Sequence, residues 1–294
     1  MRNFILGTDW WTDCDDVVAM RIMCRAIKQN KACLKGVVIN ACMEYSVSSL
    51  DGFLNCEGIT GIPLGIDKEA TDFGGNPPYQ KGLSEYAERY KTNDCAEDAV
   101  RLYRTILAQA TEKIELIEIG YLQAVAALIE SGADDISEMD GLQLLREKVS
   151  KVWVMAGKWD DKPGRENNFI RNERSRIAAS VFCEKMPVPV TFLGYEVGYD
   201  VISGGYLKED DILYKVLCDH GSCTGRSSWD PMLMQLALIG DEFIAGYDIV
   251  TGMARVDQNT GENYFKDSAF GNHNYVIKRF NNDYYKNEIN ALIK

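Results

Sequence analysis

Basic side chains and histidines are scarce in this chain of 294 residues. It has 32 Lys and Arg residues against 44 Asp and Glu residues, which gives a formal net charge of −12 at pH 7. A chain this acidic is poorly suited to binding nucleic-acid phosphates or anionic membrane surfaces, so we expect neither as a partner. Only two histidines are present, His220 and His273, which argues against a histidine-rich zinc site.

Long apolar runs and paired cysteine motifs are also missing. No window approaches the roughly 18 consecutive apolar residues that a membrane span requires. The N-terminal segment reaches Asp9 before any long apolar stretch, so it does not resemble a signal peptide. The nine cysteines form no Cys-x-x-Cys pair, and their number is odd. We therefore expect reduced cysteines, no disulfide framework and a cytoplasmic location.

What the chain does have is an ordinary globular composition, with 46% apolar and 26% charged residues. Short apolar segments that read as strands alternate with segments whose apolar residues recur at helical spacing. This alternation predicts right-handed crossovers and a parallel sheet. We predict one α/β domain over residues 1–294, with a mostly parallel, mixed central sheet flanked by helices and a Rossmann-like core. Residues 67–93 are predicted to form a long loop, and the part after about residue 240 is predicted to be more irregular.

The first predicted strand-to-helix junction carries four carboxylates within eight residues, namely Asp9, Asp13, Asp15 and Asp16. In open α/β sheets, ligands bind beyond the C-terminal ends of the strands, which is where this junction lies. Crowded carboxylates repel one another unless a cation neutralises them, and oxygen ligands favour Ca²⁺ or Mg²⁺ over Zn²⁺. The alternative is that Asp13 and Asp15 only cap the following helix and interact with its dipole.

Two other acidic patterns do not fit this junction. An EF-hand loop needs a glycine at a fixed place among its acids, and no frame through residues 9–16 supplies one. A phosphatase of the haloacid dehalogenase type needs Asp-x-Asp after the first strand, but Trp11 stands at the second position.

Five segments, taken in order, resemble the nucleoside hydrolase family, in particular its inosine-uridine preferring members. They are Gly7–Asp9 with Asp15-Asp16, Leu34–Asn40, Ile119–Gln123, Val154–Gly157 with Glu166–Phe169, and Ser228–Pro231. The resemblance extends over about residues 4–240, and the ordered set is far more specific than any single piece. It implies the nucleoside hydrolase fold.

The resemblance also implies a set of site residues. One Ca²⁺ per subunit would be bound by Asp9, Asp16, Asp230 and the backbone carbonyl of Gln123. This cation would hold the attacking water and the ribose hydroxyls, and Asp9 would act as the general base. Residues implied to bind substrate are Asp15, Asn40, Glu166 and Asn168 at the ribose, and Trp229 at the base.

Several positions depart from the family pattern. Gly7 replaces the first Asp of the opening motif, which weakens the expected support of the metal. Asp9 and Asp15 are separated by five residues where one branch of the family has three, so Asp13 remains an alternative to one of the assigned carboxylates. Trp229 stands where many members carry a His that protonates the leaving base. Of the adjacent Trp10 and Trp11, at most one is expected to face the pocket.

The resemblance implies cleavage of the N-glycosidic bond of ribonucleosides to ribose and free base. A second hypothesis is a nucleoside- or ribose-binding protein of the same fold with little catalysis, and a third is a metal-dependent phosphohydrolase. The acidic junction predicts that neutral nucleosides are preferred over nucleotides. Stacking on Trp229 would favour purines. The family commonly forms dimers or tetramers, so a homo-oligomer is expected.

Overall fold

A central sheet organises the computed structural model, which describes residues 1–11 and 13–294. In chain order the strands are β1 (Arg2–Thr8), β2 (Ala32–Ile39), β3 (Leu64–Ile66), β4 (Glu97–Asp98), β5 (Ile114–Glu118), β6 (Val149–Met155), β7 (Val190–Leu193), β8 (Ile202–Ser203), β9 (Arg226–Ser227), β10 (Tyr247–Val256), β11 (Asn263–Asp267) and β12 (His273–Lys278). The helices are α1 (Asp15–Lys28), α2 (Ser46–Cys56), α3 (Pro78–Ser84), α4 (Ala99–Gln109), α5 (Gln123–Glu130), α6 (Gly141–Lys148), α7 (Asn167–Ile170), α8 (Glu173–Lys185), α9 (Tyr195–Gly198), α10 (Ile212–Asp219), α11 (Trp229–Ile239) and α12 (Asn282–Ile293).

Ten of these strands form one sheet in the order β11-β10-β12-β7-β6-β5-β1-β2-β3-β4. Neighbours from β12 to β4 pair in parallel, whereas β10 is antiparallel to both β11 and β12. β8 and β9 form a separate antiparallel pair. The predicted single α/β domain with a mostly parallel, mixed sheet is confirmed. In such a sheet the carboxyl ends of the parallel strands meet at one edge, and polar residues that follow them are brought together.

Side-chain alternation along β1 explains how the sheet separates two hydrophobic layers. Phe4 and Leu6 belong to the cluster on one face, and Ile5 belongs to the cluster on the other, all of them fully buried. Parallel strands covered by helices on both faces read as continuous apolar runs, as this one does.

Two local predictions about irregular segments are wrong. The predicted loop over residues 67–93 contains helix α3, which begins with Pro78 at a position that tolerates proline and buries Tyr79 and Leu83 one helical turn apart. The segment after residue 240 is regular, since β10, β11, β12 and α12 fill it. The apolar pattern did not predict these helices and strands, because short or half-exposed segments bury too few residues to give a clear apolar period.

The cysteine prediction needs one correction. Cys218 and Cys223 form a disulfide, because the turn that follows α10 brings their Cα atoms to 4.3 Å. Seven other cysteines are free, which agrees with the absence of a disulfide framework. None of the described helices combines the length and the apolar character that crossing a membrane requires.

Candidate functional site

A cleft of about 260 Å³ opens at the carboxyl ends of the central strands. Residues at the carboxyl ends of β1, β5, β6 and β7 line it, together with the start of α11. The cleft-lining residues are Asp9, Trp11, Asp13, Asp15, Asp16, Ile119, Tyr121, Met155, Glu166, Asn167, Asn168, Arg171, Tyr195, Trp229 and Asp230. Seven of the nine residues predicted for the site are in this set, and Asn40 and Gln123 are not.

Three carboxylates from distant parts of the chain converge in the cleft. Asp15 and Asp16 open α1, and Asp230 is the second residue of α11. One oxygen of each lies within 4.8 Å of the others, and all three side chains are buried. The backbone N–H of Asp230 donates to Asp15 Oδ2 at 3.3 Å, which ties the two helix starts together.

Asp9 lies beside this group on a tight turn after β1. Its Oδ1 accepts the backbone N–H of Trp11 at 3.0 Å. Trp10 between them has a φ of +48°, a left-handed conformation that is uncommon for a bulky residue. The turn also aims the Trp10 N–H at Asp16 Oδ1 (3.2 Å), which the Thr8 hydroxyl donates to as well. The strained turn therefore fixes Asp9 and Asp16 relative to each other.

Burial is the main cause of the shifted acidity of this cluster. It raises the pKa of Asp9 to about 8, and repulsion from Asp15 adds to the effect. The pKa values of Asp15, Asp16 and Asp230 are also raised well above the usual range, by burial first and by the neighbouring carboxylates second. Ionising these buried carboxyl groups without a counterion is unfavourable in free energy. Because all of their donor atoms are oxygens, they fit a hard divalent cation such as Ca²⁺ or Mg²⁺.

Asp13 is engaged differently from the other four carboxylates. Arg226 donates to both of its oxygens, with Nε at 2.8 Å from Oδ1, and the Cys14 N–H also donates to Oδ1. Its charge is therefore neutralised by a guanidinium, which disfavours Asp13 as a metal ligand or base. The capping part of the alternative is not supported, since the residue before α1 is Cys14 and no side-chain cap bond forms there among the described residues. Asp15 does lie in the first turn of α1, where a carboxylate interacts favourably with the helix dipole.

Gly7 has a neighbour that accounts for the missing side chain. Its partner in the register with β5 is Glu118, and any side chain at position 7 would overlap the Glu118 carboxylate and lie 2.9 Å from the Tyr103 hydroxyl oxygen. Glu118 is fully buried, accepts a hydrogen bond from Tyr103 at 2.7 Å, and has a pKa raised by burial to about 8. Strand β5 thus places the buried carboxyl group of Glu118 beside Gly7, the position where the family pattern has an Asp.

Asn40 and Gln123 lie next to the cleft rather than on its surface. Asn40 is fully buried after β2, where its Oδ1 accepts the Tyr121 N–H at 3.0 Å. Its Nδ2 has no hydrogen-bond partner among the residues that the structure describes. A Cβ on Gly120 would lie 2.7 Å from that Oδ1 and 2.9 Å from the Asp9 Cβ, so this close approach requires glycine. The Gln123 side chain donates to the Asn40 carbonyl and lines a different cavity. Its backbone carbonyl stays a predicted ligand.

Glu166 and Asn168 line the cleft at the start of α7. Glu166 Oε1 accepts the Asn168 N–H at 2.8 Å, and Oε2 accepts the Gly157 N–H at 3.0 Å. Asn168 Nδ2 donates to the Met155 carbonyl at 2.9 Å. Burial raises the pKa of Glu166 to about 7. Backbone contacts hold both groups in fixed orientations in the cleft.

Aromatic side chains form the remaining walls. Trp229 stacks on Tyr195 with ring centroids 5.4 Å apart, and its indole N–H donates to the Tyr195 carbonyl at 2.8 Å. Trp11 lines the cleft and donates its N–H to the Gly75 carbonyl, whereas Trp10 is fully buried and donates to Ser49. The prediction that only one of the two adjacent tryptophans faces the pocket is confirmed.

Comparison with solved structures identifies the architecture. An inosine-uridine preferring nucleoside hydrolase from Bacillus anthracis aligns over 100% of this chain and 99% of its own, with a TM-score of 0.70 and 15% identity. A purine-preferring ribonucleoside hydrolase from Gardnerella vaginalis aligns over 99% and 98%, with a TM-score of 0.73 and 13% identity. The chain has the nucleoside hydrolase fold.

Other comparisons complete this result. The type III effector protein XopQ, complexed with adenosine diphosphate ribose, aligns over 100% of this chain and 93% of its own, with a TM-score of 0.67 and 14% identity. No protein-family model and no curated protein sequence matches the chain. The nucleoside hydrolase fold is therefore identified by superposition of structures and not by sequence similarity.

Several cleft residues were missed by sequence reasoning. Tyr121, Asn167, Arg171 and Tyr195 all line the cleft of this nucleoside hydrolase fold, and Asn167 Nδ2 donates to the Tyr121 hydroxyl at 3.2 Å. Tyr121, Asn167 and Arg171 lie inside or within three residues of segments that the resemblance marks, and that proximity is the signal the sequence offers. Tyr195 lies outside those segments.

The raised pKa values of Asp9, Asp15, Asp16 and Asp230 predict how the stability of metal-free protein depends on pH. Between the usual aspartate pKa near 4 and the raised values, the folded state binds more protons than the unfolded state. Stability from these groups is therefore fully present below about pH 4 and is lost as pH rises. We expect the Tm of chelator-treated protein to fall between pH 5 and pH 8, as measured by scanning calorimetry.

The control for this pH dependence is the double variant Asp16→Asn with Asp230→Asn. Its Tm should change less between the two pH values, because two of the coupled carboxyls no longer titrate. An equal slope in the variant would assign the pH dependence to groups outside the cleft.

Proposed function

We propose that this protein hydrolyses the N-glycosidic bond of ribonucleosides to give ribose and a free base. The observation that carries the proposal is the convergence of four buried carboxylates, Asp9, Asp15, Asp16 and Asp230, in the cleft of a nucleoside hydrolase fold. The same cleft also holds groups suited to the two parts of a nucleoside. Glu166 and Asn168 are held in place and suit a sugar, and the aromatic walls suit a planar base.

The donor set fits Ca²⁺. Asp9, Asp16, Asp230 and the Gln123 carbonyl would hold it, and Asp15 is close enough to contribute an oxygen. When bound, a divalent cation supplies positive charge that orients hydroxyl oxygens and makes water more acidic.

The chain's own residues have separate tasks in this proposal. Asp9 accepts a proton from the attacking water as the general base. The carboxylates and amides of Asp15, Asn40, Glu166 and Asn168 accept from or donate to the ribose hydroxyls. Asn40 Nδ2, beside the cleft, is a buried donor that no other described residue pairs with and that such a hydroxyl would satisfy. The negative charge of this set also stabilises the positive charge that develops on the sugar as the bond breaks.

Trp229 is assigned to the wall beside the base and not to proton transfer. Its N–H is already donated to the Tyr195 carbonyl, and an indole is not an acid near neutral pH. Tyr195 covers one face of the indole, so stacking with a base is restricted to the other face.

The direct test measures ribose as reducing sugar from a panel of nucleosides and their 5′-monophosphates. We expect release from nucleosides, with a higher kcat/KM than for the matching monophosphates because the buried carboxylates repel phosphate. Faster cleavage of the monophosphates would contradict the expected charge selection. Absence of ribose from every nucleoside, with Ca²⁺ present, would reject the proposed activity.

The second candidate is a ribosyl-binding protein with little catalysis, and the effector complexed with adenosine diphosphate ribose is the observation that favours it. Under this candidate, calorimetry would show binding of a nucleoside or of adenosine diphosphate ribose without any release of ribose. A phosphohydrolase is less well supported, because Arg171 is the only Lys or Arg among the described residues that line the cleft.

A further inference from the structure

Arg171 contributes the single positive charge to the described cleft walls, and no other part of the proposed mechanism uses it. It follows α7 directly and is exposed, whereas the clustered carboxylates are buried. Its Nη2 donates to the Phe73 carbonyl, and its guanidinium lies 4.8 Å from the Trp11 ring centroid. An uncharged carbonyl and an aromatic ring thus hold the guanidinium in place and leave its charge available to a ligand.

The polarity of the cleft indicates which part of a nucleoside would meet this charge. Buried carboxylates suit ribose hydroxyls, so the sugar belongs at the floor and its C1′ substituent projects toward the exposed mouth. Arg171 is exposed and Tyr195 and Trp229 are half-buried, which places these three cleft residues at that end. Neither histidine lines the described cleft walls, and the Trp229 N–H is already donated to the Tyr195 carbonyl, so neither a histidine nor Trp229 is placed to protonate the leaving base.

We propose that Arg171 binds the O6 and N7 edge of a 6-oxopurine base and stabilises the negative charge of that base as it leaves. The substrate class would then be 6-oxopurine ribonucleosides, an assignment that rests on the proposed function. A guanidinium fork matches these two adjacent acceptors, which is the commonest arginine contact to guanine. Adenine presents an amino donor in place of O6, and pyrimidines lack N7.

The reaction then balances without a protein acid. The C1′–N9 bond breaks and its electron pair passes to the base, while the water oxygen bonds to C1′ and its proton passes to Asp9. Arg171 gives up no proton in this step, since a guanidinium serves only as a hydrogen-bond donor and a fixed positive charge. The purine anion beside it takes a proton from solvent and departs as the neutral base.

The experiment compares Arg171→Met, Arg171→Lys and the control Arg165→Met. Arg165 lies in the same segment, but its guanidinium is on the surface, where it donates to Glu262 at 2.8 Å. The substrates are inosine, adenosine and 4-nitrophenyl riboside, whose leaving group is stable as an anion and has no purine edge. Inosine 5′-monophosphate is assayed beside inosine. Inhibition by free hypoxanthine and by free adenine measures base binding separately from chemistry.

We expect Arg171→Met to lower kcat/KM for inosine by about 10- to 100-fold, the range of one bidentate base contact. Hydrolysis of adenosine and of the nitrophenyl riboside should change by less than about threefold on the same reasoning. In Arg171→Met, free hypoxanthine should inhibit more weakly than in the unmodified protein, and inhibition by free adenine should be unchanged. Arg171→Lys should recover part of the rate on inosine but not the full preference, and Arg165→Met should match the unmodified protein.

Equal losses on all three substrates would show that Arg171 only supports the cleft, and would overturn the inference while leaving the proposed function standing. A selective loss on 5′-monophosphates would overturn it as well, because the arginine would then be a phosphate contact. If the unmodified protein releases ribose from no nucleoside, the proposed function itself fails, and that result is read before any variant is made.

Discussion

Replacing Asp9 with Asn should reduce kcat by about two to four orders of magnitude, the usual contribution of a general base. The amide preserves the size of the side chain and one oxygen, and that oxygen can still accept the Trp11 N–H. It cannot accept a proton from water. The measurement is single-turnover ribose release at saturating nucleoside, together with circular dichroism to confirm that the fold is retained.

The matched control for this variant is Asp13→Asn. Asp13 lines the same cleft, but its charge is neutralised by Arg226, so we expect a change in kcat of less than about tenfold. A pH profile separates the two roles, because loss of the base should remove the acidic limb of kcat against pH only in Asp9→Asn. Near-normal turnover in Asp9→Asn with a large loss in Asp13→Asn would assign the base to Asp13.

The parallel part of the fold was predictable because its strands are continuous apolar runs and its helices have apolar residues at regular spacing. Phe4, Ile5 and Leu6 are fully buried on two faces of the sheet, which is the arrangement that such a run predicts. Helix α3 and strands β10 to β12 were not predictable in the same way. They are short or half-exposed, so their burial depends on packing against distant segments and not on a local period.

The candidate site likewise contains residues that the local sequence predicts and residues that only tertiary contacts bring into place. Residues at the first strand-to-helix junction, such as Asp9 directly after β1 and Asp16 at the start of α1, could be named because the carboxyl ends of parallel strands face the ligand. The pairing of Asp13 with Arg226 spans 213 residues, and no local pattern encodes it. Glu118 is similar, since only the register between β1 and β5 places its carboxyl beside Gly7. The sequence is enough to name the carboxylates at the strand ends. Only the tertiary fold shows which of them, such as Asp13, are paired with a basic side chain.

Removing divalent metal should abolish activity and lower thermal stability, and adding Ca²⁺ should restore both. The four carboxyls of Asp9, Asp15, Asp16 and Asp230 are buried close together, so their ionised form needs a counterion. A ligand that binds only the folded state stabilises it by mass action, by about 2.7 kcal/mol at a hundred times its Kd. For a domain of this size that corresponds to a rise in Tm on the order of several degrees.

The experiment treats the protein exhaustively with chelator, confirms metal removal by elemental analysis, and measures Tm and ribose release during titration with Ca²⁺ and with Mg²⁺. Because a cation binds the ionised carboxylates, its affinity should increase with pH, so the gain in Tm should be larger at pH 8 than at pH 5. Asp230→Asn is the matched variant: it removes one charge from the cluster and should weaken Ca²⁺ stabilisation while leaving the metal-free Tm equal or higher. Full activity in metal-free protein, or a Tm that does not respond to either cation, would show that the carboxylate cluster functions without a metal and would require a different account of how its charge is neutralised.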